Sequence, residues 1–389
     1  MLFFVEIFIF FARKRTNPMA GKPGMTRREI LTGAAGAAAA ASLSGIASCF
    51  PSVGGTWPDA GPDAADKACG CALADGGTTP TDDNQPSPVS GASTVVTIQR
   101  DDSVDAKGKS LAQPQIDAIQ SMVDALLSSV AGGAPNPWSV LLPNAGPCTR
   151  IGLKVNCLNP YLPTSPSVVR AIIKNLQTNL QACPSNIIVW DRSLEELKNT
   201  GKYTDADLQG ASLIGTLSTA NDASSPGYTD ANYGTIEGFT PRLSRILTEQ
   251  TDITINCPVL KSHGVSGVTA GMKNIFGIID IPSSYHSNLP TALPALFRIP
   301  QIRNSIKLTI VDALQAVTLS DTSSRPDKIV GRIFASLDPL ALDHYALDVV
   351  NKIRLDTFSR DPVDNSLLGW LDNAYQLGLG TKDYNLVEL

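Results

Sequence analysis

The sequence predicts an α/β fold: a three-layer sandwich with a largely parallel central sheet, behind a disordered N-terminal signal and linker. Three observations carry this. Short β-branched runs alternate with segments of helical periodicity from Thr94 onward. Several of these runs end at an acid or an amide: Asn156, Asp191 and Asp312. The stretch from Asp252 to Gly277 reads as strand, polar Gly-rich turn and helix, the layout in which α/β proteins present chemistry at a strand's carboxyl end. The chain has 389 residues, 43% of them hydrophobic, enough for one large domain or two moderate ones.

In chain order, Val95-Val-Thr-Ile98 is strand-like. Ile116, Ile119, Val123, Leu126, Leu127 and Val130 recur at helical spacing, and Gly132-Gly133 stops that helix. Ile151-Gly-Leu-Lys-Val155 is a strand leading into Asn156-Cys157. Residues 167–180 form a helix with Val168, Ile172, Leu176 and Leu180 inward. Ile187-Ile-Val-Trp190 is a buried strand ended by Asp191. Residues 201–238 are rich in Gly, Ser, Asn, Asp and Tyr and read as an excursion, in the manner of a lid. Thr240-Pro241 opens a helix carrying Leu243, Ile246 and Leu247. The alternating Ile253 and Ile255 form a strand that stops at Pro258, which cannot donate to a sheet ladder. A Gly-rich turn with Lys261 and His263 follows, then a helix-like segment with Met272, Ile275 and Phe276 on one face and Lys273-Asn274 on another. Residues 293–302 form a short helix broken by Pro294 and Pro300. Ile306-Lys-Leu-Thr-Ile-Val311 is a buried strand closed by Asp312, and residues 329–334 form another. Asp338-Pro339 places an N-cap and a first-turn proline ahead of a helix that carries Leu340, Leu347 and Val350 and ends near Ile353. A final helix covers residues 367–377, stopped by Gly378-Leu-Gly380.

Ahead of this body the sequence concerns address. Met25-Thr-Arg-Arg-Glu-Ile-Leu and the Ala-rich apolar run over residues 33–46 resemble a twin-arginine export signal, with Ile30 and Thr32 departing from its commonest pattern. This implies export to the periplasm or a membrane-anchored lipoprotein. Ile46-Ala-Ser-Cys49 resembles a lipobox, which would put a lipid on Cys49; cleavage after a small residue gives much the same pattern. The apolar run over residues 1–11 is interrupted by Glu6 and falls short of the about 20 residues a spanning helix needs; with Met19 and Met25 as alternative starts, residues 1–24 read as a gene-model extension, a true membrane anchor being the alternative. Residues 50–93 are a linker of Gly, Pro, Asp, Ser and Thr that cannot bury enough surface to fold. Its Cys69-Gly-Cys71 has no second pair nearby and reads as a disulfide former rather than half a metal site.

The net charge of −5, without a basic block in the body, argues against nucleic acid as a partner. Lys261, His263, Lys273 and Asn274 gather in one turn, and Lys154 and Asn156, two apart, share a face of their strand. With Asp191 and Asp312 they describe a polar crevice for a small anionic ligand, with membrane contact only through a signal or lipid anchor. Each residue also has a structural reading: Asp191 and Asp312 as caps, Lys154 as a snorkelling or acid-paired strand residue, Asn274 as a loop amide, and His263 as a buried hydrogen bonder.

Lys154-Val-Asn156, Val-Trp-Asp191, Ile255-Asn-Cys-Pro-Val-Leu-Lys-Ser-His263, Val268-Thr-Ala-Gly-Met-Lys-Asn-Ile-Phe-Gly277, Leu308-Thr-Ile-Val-Asp312 and Ala335-Ser-Leu-Asp-Pro-Leu-Ala-Leu-Asp343 resemble, in order, the blocks of the family called domain of unknown function 362. The resemblance runs from about Arg150 to the end of the chain. It implies the fold and the position of the site, and no reaction. Some relatives carry closely spaced cluster cysteines; this chain lacks them, so iron–sulfur chemistry does not transfer.

Three functional readings stay open. In the first, an enzyme holds a carboxylate or phosphate on Lys261 and Lys273, with His263 as general acid/base. In the second, a metal or redox enzyme uses His263, His286, Asp191 and Asp312 as ligands drawn from distant loops; no compact ligand motif, Rossmann fingerprint or P-loop supports a named cofactor. In the third, a non-catalytic envelope protein binds a ligand on a stalk. No G-x-S-x-G elbow is present. Cys257 is suggestively placed, with a buried structural thiol as the commoner reading, and His344 reads as structural.

Overall fold

The computed structural model describes residues 91–105, 112–218 and 226–389. The export signal, the lipobox-like cysteine, Cys69-Gly-Cys71 and the linker as far as residue 90 lie outside the described residues; Ser93, expected to end the linker, is already the first residue of a strand.

Ten strands make one mixed sheet among the described residues. Its centre is parallel: β2 (Ile151–Lys154) lies between β3 (Ile187–Ser193) and β5 (Ile253–Asn256), with β4 (Ser212–Leu217) beyond β3 and β8 (Ile306–Val317) beyond β5. On the far side, β9 (Lys328–Ser336) runs antiparallel to β8, β1 (Ser93–Gln99) antiparallel to β9, and β10 (Tyr384–Glu388) parallel to β1. The chain therefore steps outward from β2 to β3 and β4, then returns to the other side of β2 with β5. That reversal between β2 and β5 is a topological switch point, where two crossovers leave in opposite directions and open a crevice at the strands' carboxyl ends.

Helices cover both faces, as the periodicity requires. On one side α1 (Gln113–Val130) and α2 (Pro166–Asn175) bury Leu126 and Ile172 against Leu153 and Ile310. On the other, α3 (Leu289–Phe297), α4 (Pro339–Phe358) and α5 (Gly369–Gln376) bury Leu293, Leu342 and Trp370 with Val311 and Phe334. Asp338 caps α4 as expected, its Oδ1 accepting from Leu340 N at 2.9 Å and Ala341 N at 3.0 Å. The helix runs on to Phe358, past the expected end near Ile353. Pro294 lies inside α3, and Pro300 opens the next short helix, Pro300–Ser305, from its first turn.

Other elements differ from the sequence expectation for identifiable reasons. Asp191 and Asp312 lie within β3 and β8 rather than past their ends. A charged residue is tolerated mid-strand at Asp191 because a lysine neutralises it. Lys261 and His263 lie on a strand, β6 (Val259–His263), not in a turn. Pro258 ends the β5 ladder, and the chain resumes beside the distal half of β8, where Val259 registers with Asp312 and Lys261 with Val317. β6 then turns back as a hairpin to β7 (Gly267–Thr269). Within residues 201–238, β4 is an edge strand of the sheet rather than part of a lid, and residues 219–225 lie outside the described set.

Candidate functional site

Lys154 and Asn256 end β2 and β5 and face each other in register, at the switch point. Over them lies the tight 3-10 helix Met272–Gly277, seated by amides and one acid. Asn256 Nδ2 donates to Gly271 O at 2.8 Å, and Asn274 Nδ2 donates to Asn256 Oδ1 at 2.8 Å and to Lys154 O at 3.3 Å. Asp343, fully buried on α4, accepts from Gly271 N at 2.6 Å and Met272 N at 2.8 Å. Its burial pushes the carboxyl up to about 7 against the pull of those two N–H groups. Gly277 closes the helix directly on the lysine below: a Cβ there would lie 2.6 Å from Lys154 Nζ and 2.9 Å from Asp191 Oδ1.

Lys154 is 1% exposed and fully spoken for. Its Nζ donates to Asp191 Oδ1 and to Val155 O, both at 2.7 Å, and Asp191 Oδ2 accepts from Cys157 N at 2.7 Å. This pair is a structural brace in the floor of the crevice. Lys261 is different. It is 3% exposed, and its Nζ donates to a neutral acceptor, Asn156 Oδ1, at 2.7 Å; Asn156 Nδ2 in turn donates to Asn274 Oδ1 at 3.0 Å. Burial lowers the Lys261 ammonium to about 8, with Asp191, Cys157 and Asp312 pulling the other way. Lys273, 7% exposed, faces the Phe276 ring at 3.3 Å from its centroid and His286 Nε2 at 3.5 Å. Burial lowers it to about 7, while the ring face favours the ammonium and opposes that shift. Neither Lys261 nor Lys273 forms an ion pair with a carboxylate among the described residues.

His263 and His286, both half-buried, stack with centroids 5.6 Å apart and planes 16° from parallel. His263 Nδ1 accepts from Val265 N at 2.9 Å and Ser266 N at 3.2 Å. Burial, then Lys273, lowers its pKa to about 4, so the ring is neutral at pH 7. His286 approaches the Pro282 carbonyl oxygen through Nδ1 at 3.0 Å.

The structure thus brings Lys154, Asp191, Asn156, Asn274, Lys261, Lys273, His263 and His286 into one connected region. Asp312 stands apart in role: its oxygens accept from Ser165 N at 2.7 Å and Leu314 N at 3.0 Å, and burial raises it to about 6. His263, His286, Asp191 and Asp312 are not assembled as a ligand set; among the described residues no three His, Cys, Asp or Glu side chains are grouped to hold a metal ion. Cys257 is fully buried, with its thiol pushed up to about 12 by desolvation, as a structural thiol requires. His344 has its Nε2 buried without a partner, away from this network. Two members escaped the sequence reading: Asn256 reads as an ordinary strand residue, and Gly277 as one of many glycines. Asp343 and His344 are adjacent on a helix, so the sequence allows at most one of them to face the site; Asp343 is the one, three residues after Leu340 and four before Leu347 on the inward stripe.

An open groove of about 360 Å³ lies elsewhere, lined by Gln120, Asp124, Lys174 and Asn175. Asp124 there already accepts from Asn175 Nδ2 at 2.6 Å and Gln120 Nε2 at 2.9 Å. Lys174 in that groove is exposed to solvent, whereas the buried lysines without a carboxylate partner among the described residues, Lys261 and Lys273, are at the switch point, and that location is the stronger site on chemical grounds.

Among solved structures, the lactate racemase apoprotein from Thermoanaerobacterium thermosaccharolyticum aligns at 13% identity with a TM-score of 0.37, covering 58% of this chain and 54% of that one. A protein from Thermotoga maritima aligns at 11% identity with a TM-score of 0.32, covering 69% of this chain and 59% of that one. The chain thus spans little more than half the length of either, at similarities too low to carry an argument about function. No curated protein matches. The model of the family described as domain of unknown function 362 matches residues 151–348, half of the chain and every strand that builds the crevice, and the protein belongs to that family.

Proposed function

We propose that the switch-point crevice binds a small anion, a carboxylate or a phosphate, through Lys261 and Lys273. The observation that carries this is the contrast between the three buried lysines. Lys154 has Asp191 at 2.7 Å, whereas Lys261 and Lys273 are as deeply buried and have only neutral partners among the described residues. A buried cation without a counter-charge is costly, and a fold keeps one readily where a ligand supplies the missing charge. Burial, then the charge of Lys273 and more weakly that of Lys261, depresses the protonation of His263, so the crevice also holds a neutral imidazole. The envelope location read from the twin-arginine-like motif is part of this proposal and rests on that motif alone.

The test is a thermal-shift and calorimetric titration of the full chain with inorganic phosphate, acetate, pyruvate and oxalate. At ligand concentrations about a hundred times Kd, binding adds about 2.7 kcal/mol to stability. The expected result is saturable stabilisation by at least one anion, lost in Lys261→Gln and Lys273→Gln. Stabilisation that survives both substitutions places the anion elsewhere and overturns the proposal.

A further inference from the structure

We propose that Lys273 is an amine nucleophile that condenses with the carbonyl group of a small 2-oxo acid, with His286 as its base and His263 as hydrogen-bond donor to the carbonyl oxygen. This rests on the anion-site reading and names its substrate class.

The argument comes from the two imidazoles. The Pro282 carbonyl oxygen can only accept, so its contact at 3.0 Å fixes the hydrogen of His286 on Nδ1 and leaves the lone pair on Nε2. That lone pair lies 3.5 Å from Lys273 Nζ. His263 has the opposite arrangement: two backbone N–H groups point at its Nδ1, so the lone pair is there and the hydrogen is on Nε2. The stacked rings, 5.6 Å apart, therefore carry opposite fixed tautomers, one with an acceptor nitrogen and one with a donor. A nucleophile next to a base that a third group orients is the general signature of covalent catalysis. A buried amine with no carboxylate partner, beside neutral imidazoles, fits that part. Simple packing of two histidines requires neither fixed tautomer.

The step balances. His286 Nε2 takes one proton from the Lys273 ammonium. The free amine then forms a C–N bond to the carbonyl carbon, while the oxygen receives the hydrogen bond of His263 Nε2–H and the second amine proton. The His286 imidazolium returns its proton to the carbinolamine hydroxyl, the C–O bond breaks, water leaves, and Lys273 holds an iminium ion. The net change is an ammonium and a carbonyl giving an iminium and water, with no oxidant or metal. Lys261, two residues before His263 on β6, offers the ammonium for the substrate carboxylate. His263 stays neutral throughout, since protonating Nδ1 would break two backbone hydrogen bonds.

The experiment is reductive trapping on the full chain, with pyruvate or propanal as probe, sodium cyanoborohydride as trap, and peptide mapping of every lysine. Pyruvate is expected to modify Lys273 about tenfold or more faster than any other lysine. Lys261→Gln is expected to lower the ratio of pyruvate to propanal labelling at Lys273 about tenfold, because only pyruvate carries a carboxylate for Lys261 to hold. His286→Phe keeps the ring and removes the base, and is expected to slow both probes about tenfold or more. The mapping on the unsubstituted chain does not depend on any variant folding. Lys273 left unmodified, or labelled at the pace of surface lysines, overturns the nucleophile. If phosphate, acetate, pyruvate or oxalate still raises the melting temperature in that case, the anion site stands without the nucleophile; if none of the four does, both readings fall.

Discussion

At the scale of single residues, the crevice is built by pairing one cation and leaving two unpaired. The Lys154–Asp191 pair sits at 1% and 4% exposure. Asp191→Ala removes one partner and leaves a buried ammonium, a change expected to cost about 3–5 kcal/mol. Urea unfolding measures it, and replacing Lys154 by Met in the same chain should recover part of the loss. Gly277→Ala acts on the same pair from above. The Lys154 chain end that its Cβ would meet at 2.6 Å is not free to swing, since Asp191 and Val155 O hold it. We expect about 1–3 kcal/mol of destabilisation from that overpacking, smaller in the Lys154→Met background, where the pinned ammonium is gone.

At the scale of elements, the 3-10 helix Met272–Gly277 covers the crevice, and Asp343 is its anchor. The Asp343 carboxyl is raised to about 7 from an ordinary value of 3.8. Between those values the folded state holds a proton that the unfolded state has lost, so stability falls as pH rises from about 4 to about 7. Asp312, raised to about 6, adds to the same fall. Asp343→Asn should flatten this slope and cost about 1–3 kcal/mol, since an amide satisfies one of the two N–H donors and turns its own NH₂ toward the other. Unfolding free energies measured at pH 4.5 and pH 7 in both chains check it. How much of this level is legible in sequence depends on period. The strands at Ile151 and Ile187 and the α4 cap at Asp338 follow from local patterns. β6 does not, because it exists only where β8 has an edge left open beyond Pro258. β10 owes its state to β1, far away in sequence, is mostly exposed and carries little apolar alternation.

At the scale of the molecule, the switch point between β2 and β5 explains why residues from β2, β5, β6 and a 3-10 helix meet. The sequence pointed to most of the residues that the fold gathers in the candidate crevice, and it did so through clustering around one strand end. It did not separate the braced lysine from the unpaired ones, since that distinction depends on which carboxylate lies across the crevice. The unpaired lysines have a pH signature opposite to that of Asp343. Lys273 and Lys261 are lowered to about 7 and about 8 from 10.5, so above pH 7 the unfolded state holds the extra protons and stability rises toward the ordinary lysine range. Together the carboxyls and lysines give a stability minimum near neutrality, which a bound anion should fill by restoring the ammonium form.

The proposed anion site rests on two buried lysines without a carboxylate partner among the described residues. Its most direct measurement is an NMR titration of the lysine ¹³Cε resonances, assigned through Lys261→Gln and Lys273→Gln, with and without saturating phosphate or oxalate, neither of which can condense with an amine. The expected result is that both lysines titrate well below 10.5 in the free protein and shift upward when the anion is added, since an opposite charge favours the protonated form. Two lysines that titrate at the ordinary value, unmoved by either anion, would contradict it.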